Sequence, residues 1–110
     1  MSSEIEKILC AAIWYRDLKL KKIFDCNVLP INCDRGIVFC GFRHPQCMYS
    51  MSSMTGLRSC EVKEYKQGFL TNKNRFVNRK DALEIAKNAG QIKDGIDPNK
   101  LTRLHSEDLY

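Results

Sequence analysis

The sequence has no long hydrophobic run. Its longest, Ile8 to Tyr15 (ILCAAIWY), is eight residues, where a membrane-spanning helix needs about 20. The opening Met-Ser-Ser-Glu-Ile-Glu-Lys is acidic where an export signal is basic, which points to an intracellular protein. Only three prolines and six glycines occur in 110 residues, so a collagen-like or low-complexity chain is excluded. No internal repeat is present. Gly-x-Ser-x-Gly, a Walker loop and His-Glu-x-x-His are all missing, and with them the commoner local signatures of hydrolases and nucleotidases.

What remains is a chain of one domain, residues 1–110, near the commonest domain size. Hydrophobic residues make up 44% and charged residues 28%, ordinary values for a globular protein. The net charge of +5 is moderate. Its basic residues gather in two small groups, Lys19, Lys21 and Lys22, then Arg75, Arg79 and Lys80. Nucleic-acid binding domains show denser clusters, so nucleic acid is not expected as a partner; a phosphate-bearing ligand of some size suits this charge better.

Cysteine is the exception to the plain composition. Six are present, at 10, 26, 33, 40, 47 and 60. A reducing compartment argues against a disulfide framework. Four of them recur every seven residues, but without the Cys-x-x-Cys pairs that zinc sites use. Cys10 and Cys40 lie inside apolar runs, so the cysteines read as small buried hydrophobes and no metal is expected.

Ile8 to Tyr15 reads as a strand, and Gly36 to Phe42 as a second one whose unbroken apolar run predicts burial. Asp17 to Asp25 (DLKLKKIFD) is consistent with either a strand or a loose helical turn, and 26–35 is loop by composition. Pro45 suits the start of a helix, after which Cys47, Met51, Met54 and Leu57 recur at helical spacing until Gly56 supplies a cap. Arg58 to Gln67 is charged and irregular. Gly68–Thr71 and Arg75–Val77 are short extended pieces around the turn 72–74. Asn78 then caps a helix with Asp81 at its third position, an apolar side of Ala82, Leu83, Ile85, Ala86 and Ala89, and Gly90 at its end. Asp94 to Asn99 is a turn cluster, and Leu101 to Tyr110 is apolar enough to dock. The expected class is α+β: a small, largely antiparallel sheet with two helices, about 45–55 and 79–89, packed on it.

The two helix starts carry the chemistry. A helix N-terminus bears about half a positive charge. Yet Arg43 and His44 precede one, while Arg75, Arg79 and Lys80 surround the other. Cations placed there are tolerable if an anion joins them, and an arginine fork beside free amides suits phosphate. A structural role stands beside this reading, with Arg43 pinning the acidic Glu107-Asp108 of the tail. Phe69, Phe76 and Tyr65 lie near the second basic group, where a base could stack, and Asn72, Asn74 and Asn78 could read its edges. A lone phenylalanine such as Phe76 is more often a core residue at a strand's end, and asparagines are what turns are made of. Cys47 follows His44 by three residues, close enough for a Cys–His pair, but no third orienting group is in view and catalysis is not expected.

Several segments together carry a resemblance: Cys10–Ile13, Gly41-Phe-Arg-His44 with Cys47, Gln67–Thr71, Asn74–Arg79 with Ala82, Ile85-Ala86 through Ala89–Ile92, and Ser106–Tyr110. They resemble a widespread family of small phage and prophage proteins, which is similar to the viral sponge proteins of the Thoeris anti-defence type. That resemblance implies an N-terminal antiparallel sheet, C-terminal helices, a homodimer or larger oligomer, and capture of a cyclic ADP-ribose isomer or cyclic oligonucleotide in the cytoplasm of the infected host. It implies no enzyme activity, no cofactor and no membrane. Under it Arg43 and the 45–47 amides hold one phosphate and Arg75 or Arg79 another. Phe69 or Phe76 stacks on a base, and Arg103 reaches in from the tail. The ligand-binding set is thus Arg43, His44, Phe69, Asn74, Arg75, Phe76, Arg79 and Arg103. Two alternatives stay open: a phage inhibitor that binds a host protein directly, and a small hydrolase of a signalling nucleotide.

Overall fold

The computed structural model describes residues 5–18 and 29–110. Strand β1 (Ile8–Tyr15) is the spine of a four-stranded sheet in the order β2-β1-β3-β4, with β2 (Ile37–Gly41), β3 (Tyr65–Thr71) and β4 (Phe76–Asn78). Every neighbouring pair is antiparallel. β1 is covered on both faces, which is why Ala11 to Tyr15 are all buried and its sequence does not alternate. Because β2 and β3 both oppose β1, they run parallel to each other. Helix α1 (His44–Thr55) between them is therefore a crossover that lies over one sheet face.

Helix α2 (Arg79–Asn88) follows β4 directly and packs on the same face. Ile13, Tyr15, Phe39 and Phe69 meet Cys47 and Met51 of α1, Ala82, Leu83 and Ala86 of α2, and Leu104 of the tail. Asn78 caps α2 by accepting from the Asp81 amide at 2.7 Å. Gly56 ends α1 in the left-handed region, φ 77°, and donates to Ser52 O. The hairpin between β3 and β4 turns on Asn74, which takes φ 58°, a conformation asparagine tolerates better than most side chains.

The opposite face is closed by 29–35. Cys33, Leu29 and Pro30 reach over it, the first two packing with Ala12, Trp14 and Phe76. Asn32 imitates a further strand: its side-chain amide donates to Phe76 O at 2.6 Å and accepts from Phe76 N at 2.8 Å. Gln91 does the same at the irregular start of β1, accepting from Ile8 N at 2.7 Å and donating to Ile8 O at 2.8 Å. Backbone groups that would otherwise be unpaired at a sheet edge and a bulge are satisfied.

The α+β class and both helices match the sequence reading. Four expectations need correction. β2 is an edge strand, with only Phe39 fully covered, because its neighbours lie on one side alone. Cys40 is exposed and Cys10 half-buried, since strand alternation turns both to the face away from the helices. Met54 is 73% exposed, rotated off the side that buries Cys47 and Met51. The helices are interleaved with the strands rather than following them. The basic group at 19–22 and most of the Asp17–Asp25 segment lie outside the described residues. Among the described residues, no helix is long and apolar enough to cross a membrane.

Gly68 marks the tightest point of the sheet. A Cβ there would overlap the Val77 carbonyl oxygen and stand 2.9 Å from the Phe76 ring. Gly68→Ala should lower the unfolding free energy by about 1–3 kcal/mol or more, the usual cost of overpacking. Urea denaturation measures this, and an unchanged midpoint would show that the hairpin gives way freely.

Candidate functional site

Where α1 begins, the chain turns one side chain in and one out. His44 points inward and is buried, its ring edge-on to Phe69 at 5.2 Å. Its Nε2 lies 2.8 Å from Gly68 O, and its Nδ1 lies 3.3 Å from Arg79 Nη2. A guanidinium can only donate, so Nδ1 accepts and the ring proton sits on Nε2, donated to the Gly68 carbonyl. Burial pushes the imidazole's pKa down, the Gly68 carbonyl opposes this, and the Arg79 charge adds to the lowering. His44 is a neutral strut between α1, β3 and α2.

Arg79, the first residue of α2, folds back into the same spot. It donates to Gln67 Oε1 at 2.7 Å and to Leu104 O at 3.0 Å, while its own carbonyl accepts from Leu104 N at 2.9 Å. Every one of these partners is neutral. No carboxylate of the described residues lies within ion-pair distance of this half-buried guanidinium. Burial, then the Arg103 charge, weakens its hold on its proton; the Glu107 and Asp108 charges oppose this.

Arg43, which caps α1, points outward along the surface. It donates to Ser106 Oγ at 3.2 Å and to the Tyr110 backbone oxygen at 2.6 Å. Its guanidinium lies over the Phe42 ring at 4.7 Å and the Tyr110 ring at 5.3 Å, and the two rings are 4.6 Å apart. The Tyr110 hydroxyl donates to Phe42 O at 2.8 Å. The Glu107 carboxyl is held low by its own backbone hydrogen bond and, more weakly, by the Arg43 and His105 charges. Arg43 does pin the tail, through Ser106 and Tyr110 rather than through an acidic side chain.

Of the eight residues singled out from sequence, the fold therefore joins His44 and Arg79, with Arg103 near enough for its charge to act on Arg79, while Arg43 turns away to the tail. Phe69 lies beneath His44, and Asn74, Arg75 and Phe76 lie elsewhere. Arg75 forms a two-pronged ion pair with Glu6, both contacts 2.9 Å, beside the hairpin that also holds Asn74. Phe69 is fully buried under His44, and Phe76 is buried on the opposite face edge-on to Trp14, so neither ring offers a face to a ligand. The expected amide cradle at 45–47 is closed too. Pro45 has no N–H, the Gln46 and Cys47 amides turn back to Arg43 O, and the Gln46 side chain accepts from Arg43 N at 2.6 Å. The Cys47 thiol faces Ala11 O and Arg43 O, is pushed up to about 11 by burial, and does not pair with His44.

Gln67, Ser106 and the exposed Phe42 and Tyr110 were not anticipated. Gln67 carried a signal: it is two residues from Phe69, and a polar side chain on the apolar face of a strand needs partners.

Because the native His44 binds a proton less readily than its unfolded counterpart, it lowers stability in acid. Its contribution is intact above the ordinary value of 6.5, declines as pH falls below that, and levels off below the native pKa. Chemical denaturation between pH 7.5 and 5 should show this decline. His44→Asn should flatten it, and an unaltered slope in that variant would remove His44 as the cause.

A protein-family model described as phage T4 y16D protein matches residues 7–110. No curated protein and no solved structure matches.

Proposed function

The chain belongs to the phage T4 y16D protein family, and on that premise we propose that it is an anti-defence sponge: it captures a cyclic nucleotide immune signal and holds it uncleaved. The carrying observation is the half-buried Arg79 guanidinium, whose hydrogen-bond partners are all neutral, with the Arg103 charge acting on it. The Arg79 and Arg103 charges act on each other, and no described carboxylate forms an ion pair with either. A phosphate or pyrophosphate supplies the counter-charge, and the planar fork of arginine matches its oxygens. The ligand is a cyclic ADP-ribose isomer or a cyclic oligonucleotide. It is held in the cytoplasm of the infected host by a protein that self-associates as a homodimer or higher oligomer.

Capture without cleavage fits the same geometry. Both nitrogens of His44 are engaged in holding the fold, and the Cys47 thiol faces backbone carbonyls. Neither is poised as a nucleophile or general base. One feature favours a second reading, an inhibitor that docks on a host protein: Tyr49 and Met54 of α1 are 74% and 73% exposed.

The protein incubated with cyclic ADP-ribose isomers and cyclic dinucleotides, then heat-denatured, should release one of them intact. Release of altered ligand means a hydrolase, and no binding across the panel means the host-protein inhibitor. Arg103 is exposed and forms no ion pair with a described residue, so Arg103→Ala leaves the fold alone. That variant should weaken binding by roughly tenfold, the equivalent of about 1.4 kcal/mol, and the affinity should fall with salt. Arg75→Ala, which breaks only the distant pair with Glu6, should bind as the parent does.

A further inference from the structure

One edge of the sheet is closed and the other is open. At the β4 edge the Asn32 amide pairs with both backbone groups of Phe76, and the Ile31 amide donates to Asn74 O at 2.8 Å. The β2 edge has no such cover among the described residues. Backbone groups alternate in direction along a strand. The Arg16 amide donates to Glu64 O in the register that pairs β1 with β3, so the even-numbered residues of β1 turn their backbone groups to β3. Ala11, Ile13 and Tyr15 are therefore the residues that exchange hydrogen bonds with Gly41, Phe39 and Ile37 of β2. The same count carried across β3 turns the Phe76 groups outward, where Asn32 meets them.

On β2 this leaves Val38 and Cys40 with their N–H and C=O groups pointing out of the sheet. Phe42 continues that outward row, and its carbonyl is taken by the Tyr110 hydroxyl at 2.8 Å. The open stretch lacks the usual guards of an edge strand. From Gly36 to Phe42 (GIVFCGF) it holds no charge and no proline, and its register with β1 runs without a bulge.

We propose that the β2 edge is the interface with a second copy of this chain, whose own β2 pairs with it antiparallel about a two-fold axis at Phe39. This locates the self-association proposed above and rests on that reading. Val38 of one copy then faces the partner's Cys40, and each such pair exchanges two backbone hydrogen bonds, so every outward group of Val38 and Cys40 is satisfied. Two outward residues with one between them are self-complementary, as a two-fold interface requires. The paired stretch is uncharged, so two chains of net charge +5 meet there without like charges facing each other. The β4 edge is blocked by Asn32, so pairing stops at two copies and does not run on as a filament. On the far face a cavity of about 200 Å³, lined by Leu29, Pro30, Val38, Cys40 and Leu70, lies along the same edge. The pairing sets the partner's Val38 and the partner's Cys40 beside it, adding apolar contact to the hydrogen bonds.

Sedimentation equilibrium over a range of concentrations, with circular dichroism of each variant, tests the interface. The parent should be a dimer. Val38→Pro removes the outward N–H from each copy, and an edge strand accepts proline where that group faces away from the sheet. It should raise the dimer dissociation constant by roughly tenfold or more, because the hydrogen bond is lost on both sides of the axis. Cys40→Lys changes only an exposed side chain and sets two lysines diagonally across the axis, so it should weaken the dimer as well. That second variant decides the matter if Val38→Pro disturbs the fold. A parent dimer that Cys40→Lys and a folded Val38→Pro leave intact overturns this interface while self-association stands. A parent that stays monomeric overturns both, and leaves the edge to a strand of another protein. Nucleotide capture is read separately, by the release of ligand on heating.

Discussion

The hydrogen bond from His44 to the Gly68 carbonyl is the constraint around which the molecule is arranged. It ties the first residue of α1 to the middle of β3, and the same ring receives Arg79 from the first residue of α2. Arg79 in turn engages both backbone groups of Leu104, its guanidinium donating to the carbonyl and its own carbonyl accepting from the amide, so the tail is fixed to the same point. An imidazole suits the task because it offers one donor and one acceptor on opposite sides of a flat ring. Any shift in the β3 register would move the Gly68 carbonyl away and leave a buried ring nitrogen unpaired. The site and the fold therefore share their central residues.

A sheet this small has much of its backbone at an edge or an irregularity, and side-chain amides take the place of missing strands. Asn32 pairs with both backbone groups of Phe76, and Gln91 with both of Ile8. One fixes the covering loop to the outermost strand, the other fixes the segment after α2 to the spine. Each satisfies a donor and an acceptor with one planar group, at a smaller entropic cost than ordering a further strand. The Glu6–Arg75 pair works at the same end, with Thr71 donating to Glu6 as well. Arg75 is thereby committed to the fold, while Arg79 is surrounded by neutral groups.

Local signals in the sequence were the dependable ones. The span of β1, the turn at 72–74 and the cap of α2 at Asn78 follow from neighbouring residues alone. What the sequence could not decide was which side of the sheet a strand residue faces, because that depends on a register set by distant partners. Phe69 and Phe76 look alike in the chain, yet one lies under His44 and the other against Trp14 on the far face. Arg75 and Arg79 flank the same strand, and the position of Glu6 gives the first an ion pair that the second lacks among the described residues. The cysteines divide for the same reason: Cys47 is helix packing, while Cys10 and Cys40 share the other face. His44, read from the sequence as a ligand contact, is held in the fold by Gly68 and Arg79.

The one tryptophan in the chain sits where it senses half of this architecture. Trp14 is buried on the far face, donates through Nε1 to Arg35 O at 2.7 Å, and has the Arg16 and Lys66 charges within 6 Å of its ring. Its emission colour is set by those charges and by how closely 29–35 covers it. The basic cluster lies beyond the sheet from this indole. Intrinsic fluorescence is thus a one-sided optical gauge of the molecule, responsive to the covering loop and blind to whatever settles among the arginines.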